Sequence, residues 1–566
     1  MLTALEILKN IISQELKLKK PAFSYPPNTS LGDLSLACFE LAKDSSKNPA
    51  VLATELAELL KNQKNLKKYF NEIKAVGPYL NFYINHEYLA DKVIRAVKVS
   101  KKKYGHNKFG RGKKIVLEYS NGNTHKEYHV GHLRNISYGD AVGRLLSACS
   151  YNLIPVSYIN DFGIHVAKTI WHWQNNPQYK DSSADKGYLL GRCYSEASKK
   201  LADQSEFKDE VLKIMAEIES RQGASYFLWK KTRLWSIKYF ASIYKELNIK
   251  FQHIFYENDY VAEGLKIVQR LIKKGQLVKS EGAIIANLEE YGLGVLPVIR
   301  TGGTALYPVA DLALIAEKIK KYSPDESLYV VDVRQGLYFK QLAKLAELIG
   351  YQGSIKHLGY DFVTLPDGMM SSRSGNVITY EELKNKIFPK LIEETSKRHS
   401  DWTKTRINQV AWSLMISTIK FEMLKVGADK IIVFNIDEAV RFDGYTACYL
   451  QYGYVRLKSL LRKEPLRLTF FQPDFKTLKE IKEKELLMKL ARYPEIIKVA
   501  GEKYSPSELA KYLFELVQLF NDYYHEVNIL KSNNDVKKAR LALVAAIAQV
   551  LNNGFNILGL KVIEEM

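Results

Sequence analysis

The chain has 566 residues, 46% of them hydrophobic and 26% charged, which is too long for one core and ordinary for a soluble, multidomain globular protein. No run approaches the eighteen or more uninterrupted apolar residues of a membrane span, so no membrane partner is expected. Lys plus Arg number 83 against 62 Asp plus Glu, a formal excess of +21 spread along the chain. A generically basic surface would give this excess, and so would a broad footprint for a polyanion held through its phosphates.

The opening residues, MLTALEILKNIISQELKLKK, have acidic residues breaking the apolar stretch and no small-residue cleavage site. They read as an amphipathic helix and not as a signal peptide. A first part, residues 1–105, mixes helical patterns with a strand at Tyr79–Ile84 and closes with the basic linker KVSKKKYGHNKFGRGKK. A second part, 106–404, alternates strands with helices, the pattern of a parallel α/β sheet. Its strand candidates are Ile115–Tyr119, Ile154–Ile159 and Leu328–Val333, and a helical insertion is expected at about 170–290. A third part, 405–566, is helical in period, with amphipathic runs at Leu509–Tyr524 and Val536–Leu551. The four cysteines, Cys38, Cys149, Cys193 and Cys448, form no C-x-x-C pair. That argues against zinc or a disulfide framework and fits a reducing cytoplasm.

The most informative stretch is KKIVLEYSNGNTHKEYHVGHLRNISYGDAVGRLLSACS. A β-branched strand runs through a polar turn into a long helix that begins near His129, and another strand follows. In open parallel sheets such a unit holds ligands at the strand ends, against helix N-termini. No G-x-x-x-x-G-K-[ST] loop occurs. Instead His129 and His132 stand three apart in the first helical turn, on one face. Gly131 between them removes a side chain where a flat ring could lie on the backbone. The helix end itself offers N–H donors and partial positive charge to phosphate. Two histidines that simply cap a helix would look the same in isolation. A second landmark, DGMMSSRSGNVIT, lies toward the end of the sheet region.

H-V-G-H resembles the HIGH motif of class I aminoacyl-tRNA synthetases, and Met370, Ser371, Ser372 and Arg373 resemble their KMSKS loop, which in that class closes over the ATP phosphates. The loop departs from the pattern, with Met369 at its first lysine position and Ser374 where many relatives carry a basic residue. Within the class the resemblance is to arginyl-tRNA synthetases, and it covers essentially the whole chain. That family tolerates degenerate loops, with a lysine just before HIGH as substitute; Lys126 stands there.

The resemblance implies a Rossmann-type parallel-sheet catalytic domain with a helical insertion. It adds an α+β N-terminal domain contacting the tRNA elbow and an all-α anticodon-binding domain. It also implies ATP accompanied by Mg2+, L-arginine and tRNA(Arg) as substrates, a monomer, tRNA-dependent activation and no zinc. The ATP contacts implied are His129, Gly131, His132, Met370, Ser371, Ser372 and Arg373, with Lys126 and Arg373 offsetting charge on the phosphates. For arginine, Glu118, Asn121, Asn123 and His129 match the segment before HIGH, Asn121 replacing a serine common in relatives. Tyr307 and Asp311 in TGGTALYPVADLALIAEKI are four apart on one helix face, and with Gln335 they offer a guanidinium a carboxylate and polar partners. YINDFGIHVAK resembles the segment after the second strand, with Asn160, Asp161 and Gly163. In FDGYTACYLQYGYVRLKSLL, aromatic and basic residues interleave as stacking on unpaired anticodon bases requires, and Tyr452, Tyr454 and Arg456 are the candidates. A synthetase for another amino acid, a catalytically idle tRNA-binding descendant and a small-molecule nucleotidyltransferase are the alternatives.

Overall fold

The computed structural model describes residues 3–19, 21–203, 205–366, 378–464 and 473–566. Helix α1 (Ala4–Glu15) starts at a capping box in which Thr3 and Glu6 satisfy each other's backbone N–H. It belongs to an N-terminal unit with β1 (Phe23–Ser24), β2 (Leu34–Ala37), α2 (Phe39–Ser45), α3 (Pro49–Lys61), β3 (Phe70–Val76) and β4 (Tyr79–Ile84). The four strands pair antiparallel in the order β1-β2-β4-β3. Helix α4 (His86–Ser100) leads to the central sheet.

That sheet has five parallel strands in the order β12-β11-β5-β6-β7. Strand β5 (Lys114–Glu118) lies at its centre, with Val116 opposite Ile154 of β6 (Asn152–Ile159). Its buried apolar run is what a strand covered on both faces needs. Helix α5 (Val130–Ala148) crosses from β5 to β6 and is buried along nearly its whole length. It approaches the sheet closely at Gly139, where a β-carbon would run into the Tyr119 ring.

Helices α6 (Ile164–Asn175), α7 (Gln178–Asp181), α8 (Lys186–Asp203), α9 (Lys208–Ser220) and α10 (Gly223–Glu246) form the helical insertion. The expectation of helix up to about 290 is corrected beyond it. His253–Tyr256 is β7, paired parallel with β6 at the sheet edge. After α11 (Val261–Lys273), strands β8 (Val278–Ser280), β9 (Ala283–Asn287) and β10 (Val295–Ile299) form a small antiparallel sheet. Four apolar or aromatic residues between helices have no decisive period, and β7 is a strand because β6 offers an open edge.

The chain returns through α12 (Tyr307–Tyr322), β11 (Glu326–Asp332), α13 (Gly336–Leu348) and β12 (Ser354–Tyr360). Beyond, β13 (Val363–Thr364) pairs parallel with β14 (Ile432–Val433), on either side of α14 (Tyr380–Arg398) and α15 (Lys404–Leu424). The rest is helical: α16 (Ile436–Ala439), α17 (Ala447–Lys463), α18 (Ile481–Glu502), α19 (Pro506–Glu526) and α20 (Asn534–Ile557). The amphipathic runs at Leu509–Tyr524 and Val536–Leu551 fall inside α19 and α20. Among the described residues no helix is long and apolar enough to cross a membrane.

Gly139→Ala forces α5 away from Tyr119 and should lower unfolding stability by roughly 1–3 kcal/mol, read as a lower urea midpoint. An unchanged midpoint would show that the close approach of α5 to the sheet is not needed.

Candidate active site

His129 is the N-cap of α5, with extended backbone. Its Nδ1 accepts the N–H of Gly131 at 3.1 Å, and Nδ1 of His132 accepts the N–H of His129 at 3.2 Å. The pair is a capping box built from two imidazoles, their ring centroids 3.9 Å apart. With each Nδ1 used as an acceptor, the ring proton of each resides on Nε2, which is left as a donor. Burial, helped by the Lys126 charge, holds His129 down at about 4, and His132 lies well below its ordinary value. Both are therefore neutral donors at pH 7. Capping uses only the Nδ1 edge of each ring and leaves the Nε2 edge free of that task. A β-carbon on Gly131 would stand 2.9 Å from Cε1 of His129, so the flat ring lying on that glycine is the histidine's own.

The Lys126 ammonium sits over the Tyr194 ring at 4.8 Å. Tyr380 donates its N–H to the Tyr128 carbonyl at 2.7 Å and Val130 donates to the Ile378 carbonyl at 3.1 Å. The residues that follow the serine-rich stretch are thus fastened on both sides of His129. Met370, Ser371, Ser372 and Arg373 lie outside the described residues.

A cavity of about 450 Å³ opens beside the ends of β5, β6 and β11, under the first turns of α12. Glu118, Asn121, Asn123, Tyr307, Asp311 and Gln335 all line it. Asp311 faces it two turns before Lys318 on α12, and Tyr338 donates its hydroxyl proton to Asp311. Lys318 is fully buried, forms an ion pair with Glu118 and reaches the Tyr329 hydroxyl at 3.2 Å. Asn121 donates to Glu118 at 3.3 Å. Oδ1 of Asn121 has no hydrogen-bond partner among the described residues, while beside the cavity the Tyr158 hydroxyl and the Glu257 carboxyl meet each other. Such an orphan costs about 1–3 kcal/mol unless a ligand or a water satisfies it.

Sequence reasoning missed Lys318, Tyr158, Tyr338 and Glu257. Glu257 follows β7, in a stretch read as helix, although a strand's C-terminal end is where ligand residues collect. Burial raises the Asp311 carboxyl to about 7, with the Glu118 charge adding to the shift. Glu257 rises to about 8 by burial and by the charges of Asp311 and Asp161. The Glu118 and Asp311 carboxyls thus line the cavity against the single ammonium of Lys318, and Glu257 stands close enough to feel the Asp311 charge.

On the C-terminal helices, Arg456 lies 4.8 Å from the rings of both Tyr452 and Tyr524 and donates to Asn521 at 2.6 Å. Tyr454 is corrected as an RNA-contacting residue, because it is buried against Phe555. Residues two apart on a helix point about 200° apart, so only one of the two tyrosines reaches that surface.

A parallel sheet whose first crossover helix begins at paired imidazoles has the architecture of a class I aminoacyl-tRNA synthetase. Residues 93–435 match the class I tRNA synthetase catalytic domain of the arginine type, 450–566 the DALR anticodon-binding domain and 4–84 the arginyl-tRNA synthetase N-terminal domain. The chain is 32% identical over 551 residues to an arginine–tRNA ligase of Bdellovibrio bacteriovorus, covering 96% of this chain and 93% of that one. It is 33% identical over 566 residues to one of Clostridium botulinum, covering 99% of each. In fold it superposes on Thermus thermophilus arginyl-tRNA synthetase with a TM-score of 0.82 at 24% identity, across 99% of both chains. The chain belongs to the arginyl-tRNA synthetase family.

The raised carboxyls fix a sign. Empty, Asp311 and Glu257 hold protons up to about pH 7 and about pH 8. A guanidinium bound beside them would favour their ionised forms, so a cationic ligand held there would expel protons and bind more tightly as pH rises from 6 to 8, then level off. Calorimetric titration with L-arginine in buffers of different ionisation enthalpy should show that proton release at pH 7. Heats independent of buffer would contradict it.

Proposed function

We infer that this member of the family is an arginine–tRNA ligase that joins L-arginine to tRNA(Arg) at the expense of ATP. The arginine carboxylate attacks the α-phosphate of ATP, giving arginyl-adenylate and pyrophosphate. The 3′-terminal adenosine then attacks the adenylate carbonyl and releases AMP. No covalent enzyme intermediate is needed, so catalysis consists of positioning and of stabilising charge on the phosphate. ATP enters as its magnesium complex, the ion held mainly by phosphates.

The reading assigns Nε2–H of His129 and His132 to the nucleotide, with Gly131 letting the His129 ring fold back. Lys126 and Arg373 offset developing negative charge, and Met370, Ser371 and Ser372 complete the phosphate-covering loop. Asp311, Tyr307 and Gln335 take the guanidinium, joined by Glu257, while Glu118, Asn121, Asn123 and His129 face the α-amino acid end. What carries this assignment is charge: arginine brings a guanidinium and an ammonium to a cavity where the Glu118 and Asp311 carboxyls, with Glu257 beside them, meet one Lys318 ammonium.

Residues 1–105 are assigned to the tRNA elbow, 106–404 to catalysis with the insertion at about 170–290, and 405–566 to the anticodon. Tyr452 and Arg456 supply a stacking surface there. One chain carries both motifs, the cavity and the helical domain, which suits a monomer. Use of tRNA and ATP supports a cytoplasmic location.

Aminoacylation assays with each of twenty amino acids and matched tRNA should yield product with arginine alone. Asp311→Asn should lower kcat/KM for arginine at least about 100-fold, since it removes the buried charge that meets the cation. Binding of tRNA without charging of any amino acid would instead favour the idle descendant.

A further inference from the structure

At the end of β6, Asp161 is fully buried and its carboxylate is divided between two partners. Oδ1 accepts the N–H of Asn258 at 2.9 Å, and Oδ2 accepts from Nε of Arg233 on α10. The Arg233 guanidinium lies over the Tyr256 ring at 4.4 Å. One turn earlier on α10, Trp229 donates its indole N–H to the Asp161 carbonyl at 2.9 Å. Asp161 is therefore gripped twice by α10, and it grips in turn the 3-10 turn Glu257–Asp259, which has no side-chain cap of its own. Tyr256 under the guanidinium and Asn258 on the carboxylate flank Glu257 directly. The same face of α10 reaches the turn before His129: Ser236 accepts the N–H of His125 at 3.0 Å, and the Thr232 hydroxyl meets the His125 ring at 2.8 Å.

We propose that Arg233 is a positioning residue for arginine recognition, which sets the Glu257–Asp259 turn through the Asp161 carboxylate and the Tyr256 ring and so places Glu257 at the guanidinium end of the cavity. The proposal rests on reading that cavity as the arginine site. A cation that only neutralised Asp161 would need neither a planar group on Tyr256 nor an Nε–H aimed at one oxygen; a lysine ammonium would serve. Arg233 supplies both, because its fork is planar and directional. The helical insertion thereby shapes amino-acid selection without touching the substrate.

The test is steady-state aminoacylation by the full-length protein with tRNA, measuring KM for arginine and for ATP separately. Arg233→Lys keeps the charge and loses the stacked plane. The double variant Asp161→Asn/Arg233→Met removes both charges together, so no unpaired buried charge burdens the fold. Both should raise arginine KM about ten- to a hundredfold, the scale of a small misplacement of a contact group, and leave ATP KM within about twofold. Glu257→Gln should raise arginine KM in the wild-type chain and add little on top of Arg233→Lys, since both act through one contact. The proposal is overturned if arginine and ATP KM move together, or if the Glu257→Gln and Arg233→Lys effects multiply in full. If Glu257→Gln and Asp311→Asn raise arginine KM and Arg233→Lys does not, positioning fails and the cavity assignment stands. If neither carboxyl variant moves it, the cavity assignment itself fails.

Discussion

The cavity at the ends of β5, β6 and β11 is built around a charge imbalance that the protein does not resolve by itself. Glu118 has Lys318, buried beside it, as its cation. Asp311 has the Tyr338 hydroxyl and Glu257 the Tyr158 hydroxyl, and among the described residues neither has an ion-pair partner. Unpaired buried carboxylates are costly, and these two stay tolerable while empty by holding protons, which is what raised values of about 7 and about 8 express. The strain is local and useful, because any ligand able to replace both protons by positive charge recovers it. Under the proposed assignment, arginine would bring a rigid planar cation that a pair of carboxyls can share.

Around this cavity the fold acts as a frame. The backbone bonds that join Tyr128 and Val130 to Tyr380 and Ile378 tie the start of α14 to the start of α5. Helix α5 carries the paired histidines at one end, and its body is clamped by the C-terminal helices. Arg134 donates to the carbonyls of Met423 and Gly427, Tyr138 to that of Tyr504, and Asp140 pairs with buried Lys420 at 3.0 Å. A helix fixed along its body presents its first turn without adjustment, as electrostatic preorganisation requires.

Local patterns with a physical period were legible in the sequence. The β5–α5–β6 unit, the start of α5 at His129 and the shared face of Tyr307 and Asp311 follow from strand composition, glycine placement and 3.6-residue spacing. Lys318 was not legible, because seven residues beyond Asp311 it sits in a lysine-rich last turn that reads as solvated until the sheet is seen beneath it. Glu257 was hidden for a different reason: β7 is four residues long and is a strand only by pairing with β6. Tyr454 failed through helix geometry, since interleaved tyrosines alternate faces and only one faces out. That His129 and His132 cap the helix with one edge and keep a donor on the other is a matter of atoms, beyond any spacing argument.

The most direct test of the charge account is to compare L-arginine with L-citrulline, its uncharged isostere, as substrates for aminoacylation under identical tRNA and ATP. A cavity that relies on cation pairing should reject citrulline by about 10⁴-fold or more in kcat/KM, because the carboxyls of Asp311 and Glu257 would stay unpaired or protonated. Discrimination of only about tenfold would mean that shape, and not the unresolved charge, selects the substrate.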